Sequence, residues 1–397
     1  MHLFRKKEYI LMHKDVEVLK GKYDFERHSF KEIEVINEKH LPVGTVMNGV
    51  FSLKKLNSWI HWRGIPGYRV GLMQLMERLQ IKEPLELLEK AHMLSVSDCY
   101  WLKEEGETVS WKDINFFYHS FDDKGFGTVM FARIAYDAPS SARKTPNNTT
   151  AGYHRKAWLI QNGQLVLAKG GSAKVQEEPV NEWLAGQIAE RLGIDAVHYD
   201  LGIYEDQLVC LCPAMTDEHT DLVSAKDVMR GIKVPKDEFS AQYYLDELAR
   251  HGISNGEAKL SDMCVLDYLM MNTDRHNQNL GILVDADTME WKKWAPVFDT
   301  GTGLACLKED DEVAVEEEQQ DCQLFNAKDF SHEELLPFID FRRYDFTGLQ
   351  KLADDYGNQL VKYQRNTNIS NRRIEDLYRL FYKRVLRIQK AASGDNR

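Results

Sequence analysis

The sequence predicts an α+β chain of two or three domains, strand-bearing in its first half and mainly helical in its second. Three observations carry this. A length of 397 residues exceeds one ordinary domain. Turn-bounded strand patterns recur before residue 215, among them two apolar runs joined by Asn162-Gly163. From residue 240 onward, apolar residues recur at helical spacing.

Composition sets the class. Hydrophobic residues make up 43% and charged residues 28%, as in a folded globular chain. The net charge of -11, from 51 basic and 62 acidic residues, disfavours direct binding to nucleic acid or to an anionic membrane. No apolar run approaches the roughly 18 residues of a membrane span. The opening Met-His-Leu-Phe-Arg-Lys-Lys-Glu-Tyr has no signal-peptide core, so the expected location is cytoplasmic. The six cysteines show no paired C-x-x-C spacing, which argues against a zinc site or a disulfide framework.

Residues 1–140 show strand-like alternation at Lys6–Glu17 and Ser29–Val35, and a hairpin at Gly44–Lys54 around Asn48-Gly49. Leu72, Leu75, Met76 and Leu79 predict a helix, and Pro84 opens a second at Leu85–Met93. The aromatic set Trp59, Trp62, Tyr100, Trp101, Trp111, Phe116 and Phe117 either lines a partner groove or packs a small α+β module; packing is the expectation. Pro139–Thr150 is polar and turn-rich, which predicts a domain boundary or a mobile loop.

The Asn162-Gly163 hairpin follows, and each of its strands delivers a lysine, Lys156 and Lys169. Glu177–Leu192 predicts a helix with Trp183, Leu184, Ile188 and Leu192 on one side and Gly193 as its stop; Glu182 lies on it. Leu208–Met215 is an apolar strand running into a turn. Helices are then expected at Ser240–His251, Ser261–Met271, Gly348–Lys362 and Asn371–Lys390.

Between the second and third of these helices lies the stretch with most chemistry. Asp274, Arg275, His276, Asn277 and Asn279 fall in one loop-sized span, framed by an apolar helix before and by the strand-like Leu280–Val284 after. A second isolated acid follows in Pro-Val-Phe-Asp299-Thr-Gly. That layout suits phosphoryl transfer from ATP, in which protein groups mainly position substrates and stabilise charge.

Asp274-Arg275-His276-Asn277-Gln278-Asn279 resembles the Asp-Arg-His-x-x-Asn catalytic loop of the HipA-type kinases and the phosphatidylinositol kinases. Asp299-Thr300-Gly301 sits where those families carry a metal-binding Asp, and Ala151-Gly152-Tyr-His-Arg-Lys156 resembles the Ala-Gly-x-x-x-Lys that caps the phosphates. The resemblance covers about residue 145 to the C-terminus. It implies a two-lobed protein-kinase-like fold: an N-lobe at 141–215 and a helical C-lobe at 216–397, preceded by an α+β module at 1–140. It also implies roles. Asp274 would orient the substrate hydroxyl with His276 in support, and Asn279 and Asp299 would hold Mg2+. Thr150, Ala151, Gly152, Lys156 and Lys169 would serve the ATP phosphates, with Glu182 paired to Lys169, while Cys212 and Met215 would lie near adenine. Thr149 matches the place of the family's autophosphorylated serine.

Other readings meet specific obstacles. Phe298-Asp299-Thr300-Gly301 is also an aspartic-protease signature, but that chemistry needs a second such aspartate and no other Asp-Thr-Gly or Asp-Ser-Gly occurs. A nucleotide-binding pseudokinase or interaction module usually lacks a Lys, Asp or metal position, and none is lost here. A lipid kinase is disfavoured by the acid-rich run Lys308–Asp321, which would repel an anionic headgroup; a small-molecule acceptor and adenylyl transfer stay open. The resemblance thus points to a serine/threonine protein kinase, possible targets being a translation component such as an aminoacyl-tRNA synthetase and a possible partner being an antitoxin. Residues 1–140 show no obvious match to the usual HipA N-terminal subdomain.

Overall fold

In this computed structural model the described residues are 8–131, 143–172, 174–236, 238–313, 321–325 and 327–394. In chain order, β1 (Glu8–His13), β2 (Val16–Asp24) and β3 (Ser29–Val35) lead to the short hairpin β4 (Val46–Met47) and β5 (Val50–Phe51). Next come α1 (Leu53–Arg63), α2 (Leu72–Leu79), α3 (Pro84–Lys90), β6 (Tyr100–Glu104), α4 (Trp111–Ile114) and α5 (Asp123–Phe131). The hairpin β7 (Lys156–Gln161) and β8 (Gln164–Gly170) precedes α6 (Glu178–Leu192), β9 (Asp200–Tyr204), β10 (Gln207–Pro213), β11 (Thr220–Ser224) and α7 (Ala225–Met229). The remainder holds α8 (Ser240–Arg250), α9 (Gly256–Met270), β12 (Gly281–Asp285), β13 (Trp291–Trp294), β14 (Asp321–Leu324), β15 (Ala327–Ser331), α10 (Gln350–Tyr363) and α11 (Asn371–Ser393). The fold is therefore mixed, with several sheets and many helices, and no helix among the described residues is long and apolar enough to cross a membrane.

The chain divides into two compact units. The first comprises 1–167, 214–233 and 282–293. Its main sheet has the order β3-β2-β1-β6, and a second has the order β11-β12-β13. The 214–233 segment is tied in by Asp221, which closes a buried polar cluster: His13 Nε2 lies 2.7 Å from its Oδ2, and the Cys99 amide donates to Oδ1 at 2.9 Å. Trp59, Tyr100, Trp101, Trp111 and Phe116 are core residues and Trp62 is exposed, so the aromatic set serves mainly as packing.

Of the two expectations for Pro139–Thr150, a domain boundary or a mobile loop, the mobile loop is corrected where the segment is described. Residues 139–142 lie outside the described residues, but Thr145, Asn147 and Asn148 are fully buried. The physical reason is that the polar side chains satisfy backbone groups around them: Asn147 Oδ1 accepts from the Trp158 amide at 2.6 Å, and Asn148 Nδ2 donates to the Leu87 carbonyl at 2.8 Å. A polar run becomes an anchored turn.

The second unit comprises 168–213, 234–281 and 294–397. Its centre is α9, buried from Leu260 to Met270, so no single apolar stripe marks it in the sequence. Arg384 of α11 donates from Nε and Nη2 to the Tyr268 carbonyl at 3.1 and 2.9 Å, capping the last turn of α9. The buried Arg373 of α11 pairs with Glu177, just before α6, at 2.7 and 2.9 Å. The polar Asp274 span thus starts from a helix held at its C-terminal end. Of the acid-rich run, residues 314–320 lie outside the described residues.

Candidate active site

Lys169, at the end of β8, is 5% exposed. Its ammonium contacts Glu182 Oε1 of α6 and lies 2.5 Å from Asp299 Oδ1. Burial acts to lower the Lys169 pKa, but Asp299 and Glu182 outweigh it and hold the ammonium well above its ordinary value. The second oxygen of Glu182 accepts from the Thr300 amide at 3.0 Å. One carboxylate therefore aims the lysine and fixes the Asp299 segment. Asp299 itself has φ +58, unusual for a residue with a side chain, and its amide donates to the Tyr199 hydroxyl at 3.3 Å.

Two glycines allow this close approach. A Cβ on Gly301 would fall 2.7 Å from Glu182 Cγ, and one on Gly303 would fall 2.2 Å from the Met270 carbonyl oxygen. Asn181, beside Glu182, donates from Nδ2 to the carbonyls of Gly301 and Gly303 at 3.1 Å each and accepts from the Tyr356 hydroxyl at 2.6 Å.

Arg275 organises the polar loop. It is 1% exposed. Nε and Nη2 donate to the two oxygens of Asp267 at 2.9 and 2.8 Å, a fork on a carboxylate at the end of α9. Nη1 donates to the carbonyls of Asn279 and Phe298 at 2.5 and 2.6 Å, and Nη2 also reaches Thr300 Oγ1 at 3.0 Å. One side chain therefore joins the Asn279 segment to the residues flanking Asp299. Asn272 completes the frame, donating from Nδ2 to Asp267 Oδ1 at 2.8 Å while its Oδ1 accepts from the Asp274 amide at 3.2 Å.

Asp274 and His276 project from this frame, with side chains 45% and 32% exposed and 3.7 Å between Oδ1 and Nε2. His276 Nδ1 accepts from the Gln278 amide at 3.2 Å, so a neutral ring carries its proton on Nε2, the nitrogen nearer Asp274. Asn279 Nδ2 donates to the Asp274 carbonyl at 2.8 Å. Asn279 and Asp299 offer an amide oxygen and a carboxylate, hard donors of the type magnesium takes together with water and substrate phosphates. That fit needs no larger protein cage, and among the described residues no group of three or more His, Cys, Asp or Glu could hold a metal ion.

The second unit thus brings together Lys169, Glu182 and Asp299, and gathers Asp274, His276 and Asn279 in one loop. Cys212 is buried in β10 of the same unit. The other predicted residues belong to the first unit: Met215 is half-buried after β10, Ala151 is exposed, and Thr150 and Lys156 are buried. Gly152 has φ +98, and a Cβ there would fall 2.5 Å from Lys156 Nζ. Thr149 is half-buried, its hydroxyl 3.0 Å from both the Pro146 carbonyl and Ser95 Oγ. Sequence reasoning gave no role to Arg275, Asp267, Asn272, Asn181 or Tyr199. Arg275 stood inside the quoted motif, and its role needed the fork on Asp267 to be seen.

Residues 148–336 match the family model described as HipA-like C-terminal domain. The serine/threonine-protein kinase CtkA of Helicobacter pylori strain J99 is 26% identical over 213 residues, 52% of this chain and 59% of the relative's length. A crystal structure of the proinflammatory kinase CtkA from H. pylori covers 60% of this chain and 93% of that one, at 20% identity and a TM-score of 0.46. A structure of HipA, HipB and operator DNA from Shewanella oneidensis MR-1 covers 96% of this chain and 97% of the matched one, at 13% identity and a TM-score of 0.53. That breadth extends the likeness in fold into residues 1–140, where the sequence shows no obvious match. Residues 148–336 are thus similar to the HipA-like C-terminal domain, the family that the Asp274 and Asp299 motifs resemble.

Proposed function

We propose that this chain is an ATP-dependent serine/threonine protein kinase of HipA type, transferring the γ-phosphate of Mg-ATP to a protein hydroxyl. The observation that carries the reading is the Arg275 join, which ties the Asn279 segment to the segment of Asp299, itself in contact with Lys169. A metal-binding pair and a phosphate-binding lysine need that mutual placement before any substrate arrives. Asp274, the more exposed acid, orients the substrate hydroxyl and takes its proton, with His276 beside it. Asn279 and Asp299 hold Mg2+, which when bound neutralises charge on the phosphate oxygens. Lys169, aimed by Glu182, Lys156 and the Thr150–Gly152 turn serve the phosphates, and the strand end at Cys212 and Met215 serves adenine.

A toxin-type kinase acting on a translation component, restrained by a partner comparable to the HipB found with the Shewanella HipA, is the finer form of this proposal. The test is incubation with γ-labelled and, separately, α-labelled Mg-ATP, comparing wild type with Asp274→Ala and Asp299→Ala. Label from γ alone, lost in both variants, is expected. Label from α would move the reading to adenylyl transfer, and no nucleotide binding would overturn it in favour of an interaction module.

A further inference from the structure

Residues 1–140 offered no readable chemistry, yet one of their side chains is built into the turn assigned to phosphate binding. Arg69 is 3% exposed. Its Nε donates to the Gly152 carbonyl at 3.2 Å, Nη1 to Thr150 Oγ1 at 2.6 Å and Nη2 to the Thr150 carbonyl at 2.6 Å. One residue on, the Val70 amide donates to the Tyr153 carbonyl at 2.9 Å. The turn is thereby held along its length from one side.

None of these acceptors carries a charge, and among the described residues Arg69 makes no ion pair. The contrast with its peers is sharp. The other buried arginines each face a carboxylate: Arg63 on Asp98, Arg275 on Asp267, Arg373 on Glu177 and Arg384 on Glu333. Burial accordingly works against the Arg69 charge and pushes its pKa below the ordinary value. A desolvated cation without a counter-ion is unfavourable until an anion approaches.

The geometry says where that anion would sit. In a planar trans peptide the C=O and N–H point in opposite directions. Turning the Thr150 and Gly152 carbonyls onto Arg69 therefore aims the Ala151 and Tyr153 amides the other way. Neither amide donates a hydrogen bond among the described residues, and both residues are exposed. Two free amides flanking a left-handed glycine make an anion-binding nest, and the Lys156 ammonium lies close against Gly152.

We propose that Arg69 is a positioning residue for phosphate binding: it turns the Thr150–Gly152 carbonyls inward so that the Ala151 and Tyr153 amides face the nucleotide's triphosphate, whose charge neutralises the buried guanidinium. The inference rests on the kinase reading of this turn. It also gives residues 1–140 a part in holding that turn.

The test uses the full chain as wild type, Arg69→Met and Arg69→Lys, measured by thermal shift with Mg-ATP and with inorganic tripolyphosphate, and by kcat and KM for ATP. Arg69→Met is expected to keep its nucleotide-free melting point within a few degrees. It should bind both ligands about tenfold more weakly or worse, a loss of roughly 1.4 kcal/mol, with the effect in KM rather than kcat. Arg69→Lys, which keeps the charge but not the fork, should fall between. Wild-type affinity in Arg69→Met overturns the proposal and leaves the kinase reading standing. If Arg69→Met does not fold, Arg69→Lys decides, and wild-type affinity there overturns the proposal as well. No shift of wild-type protein with Mg-ATP overturns both readings together.

Discussion

Replacing Arg275 by methionine tests whether the polar loop is held as its geometry indicates. The substitution keeps much of the side-chain volume and removes five hydrogen bonds, two to Asp267 and one each to Asn279, Phe298 and Thr300. The larger consequence is electrostatic. Asp267 is 1% exposed and would be left as a buried carboxylate with no cation on it. Breaking such a pair by removing one partner costs about 3–5 kcal/mol. At roughly 2–4 °C per kcal/mol for a unit of 150–250 residues, the melting temperature should fall by about 6–20 °C. Urea unfolding followed by circular dichroism measures the loss directly, provided m is unchanged. A double variant, Arg275→Met with Asp267→Asn, supplies the internal control. With the stranded charge removed, it should be more stable than Arg275→Met alone, while phosphotransfer stays abolished because the Asn279 and Asp299 segments have lost their join. Stability within about 1 kcal/mol of wild type together with full turnover would refute the reasoning, as would a double variant no more stable than the single one.

Two further predictions follow from side chains around the site. Glu178 is 3% exposed, neither carboxylate oxygen has a hydrogen-bond partner among the described residues, and burial raises its pKa. The folded chain therefore keeps that proton to higher pH than the unfolded chain, so stability falls as pH rises above the ordinary carboxyl value of 4.5. Glu178→Met should be more stable than wild type by about 1–3 kcal/mol at pH 8 and indistinguishable from it at pH 4; equal stability at both pH values counts against the argument. Thr149 is expected to become phosphorylated when the protein is incubated with Mg-ATP, with loss of activity, while Thr150, locked between Arg69 and the Asn147 carbonyl, is not. Peptide mapping that finds Thr145–Lys156 unmodified, or modified at Thr150, would contradict this.

How much of this was legible in the sequence depends on whether the cause was local. The β7–β8 hairpin follows from Asn162-Gly163, and the stop of α6 from Gly193, because a left-handed turn at each is a property of a few neighbouring residues. The strand Ser29–Val35 and the hairpin at Asn48-Gly49 were legible for the same reason. Helix α1 was missed: Leu56, Trp59 and Ile60 stand at helical spacing, but lysines and asparagine surround them and the next position of the stripe is a buried arginine, Arg63. The first residues of α9 were missed because Gly256-Glu-Ala-Lys is polar and buries only Gly256 before Leu260, so no apolar repeat marks that turn. In the candidate site, the titratable residues could be named from spacing alone. Their supports could not, because Arg275 to Asp267, Asn181 to Gly301 and Arg69 to Thr150 are contacts that only the folded chain creates.

The environment of Asp299 also separates two chemistries that the Asp-Thr-Gly triplet leaves open. An aspartic protease needs two carboxylates close enough to share one proton, so that one of them is neutral. Asp299 has an ammonium at 2.5 Å and a second carboxylate, Glu182, on the same ammonium. Here two acids share a cation rather than a proton. The backbone adds to this, because the Thr300 amide donates to Glu182 and Arg275 reaches the Phe298 carbonyl and Thr300 Oγ1. These contacts hold the Asp299 carboxylate beside a cation at a fixed place. That is what a cation or a phosphate-bearing metal requires, and it is the opposite of what a shared proton requires.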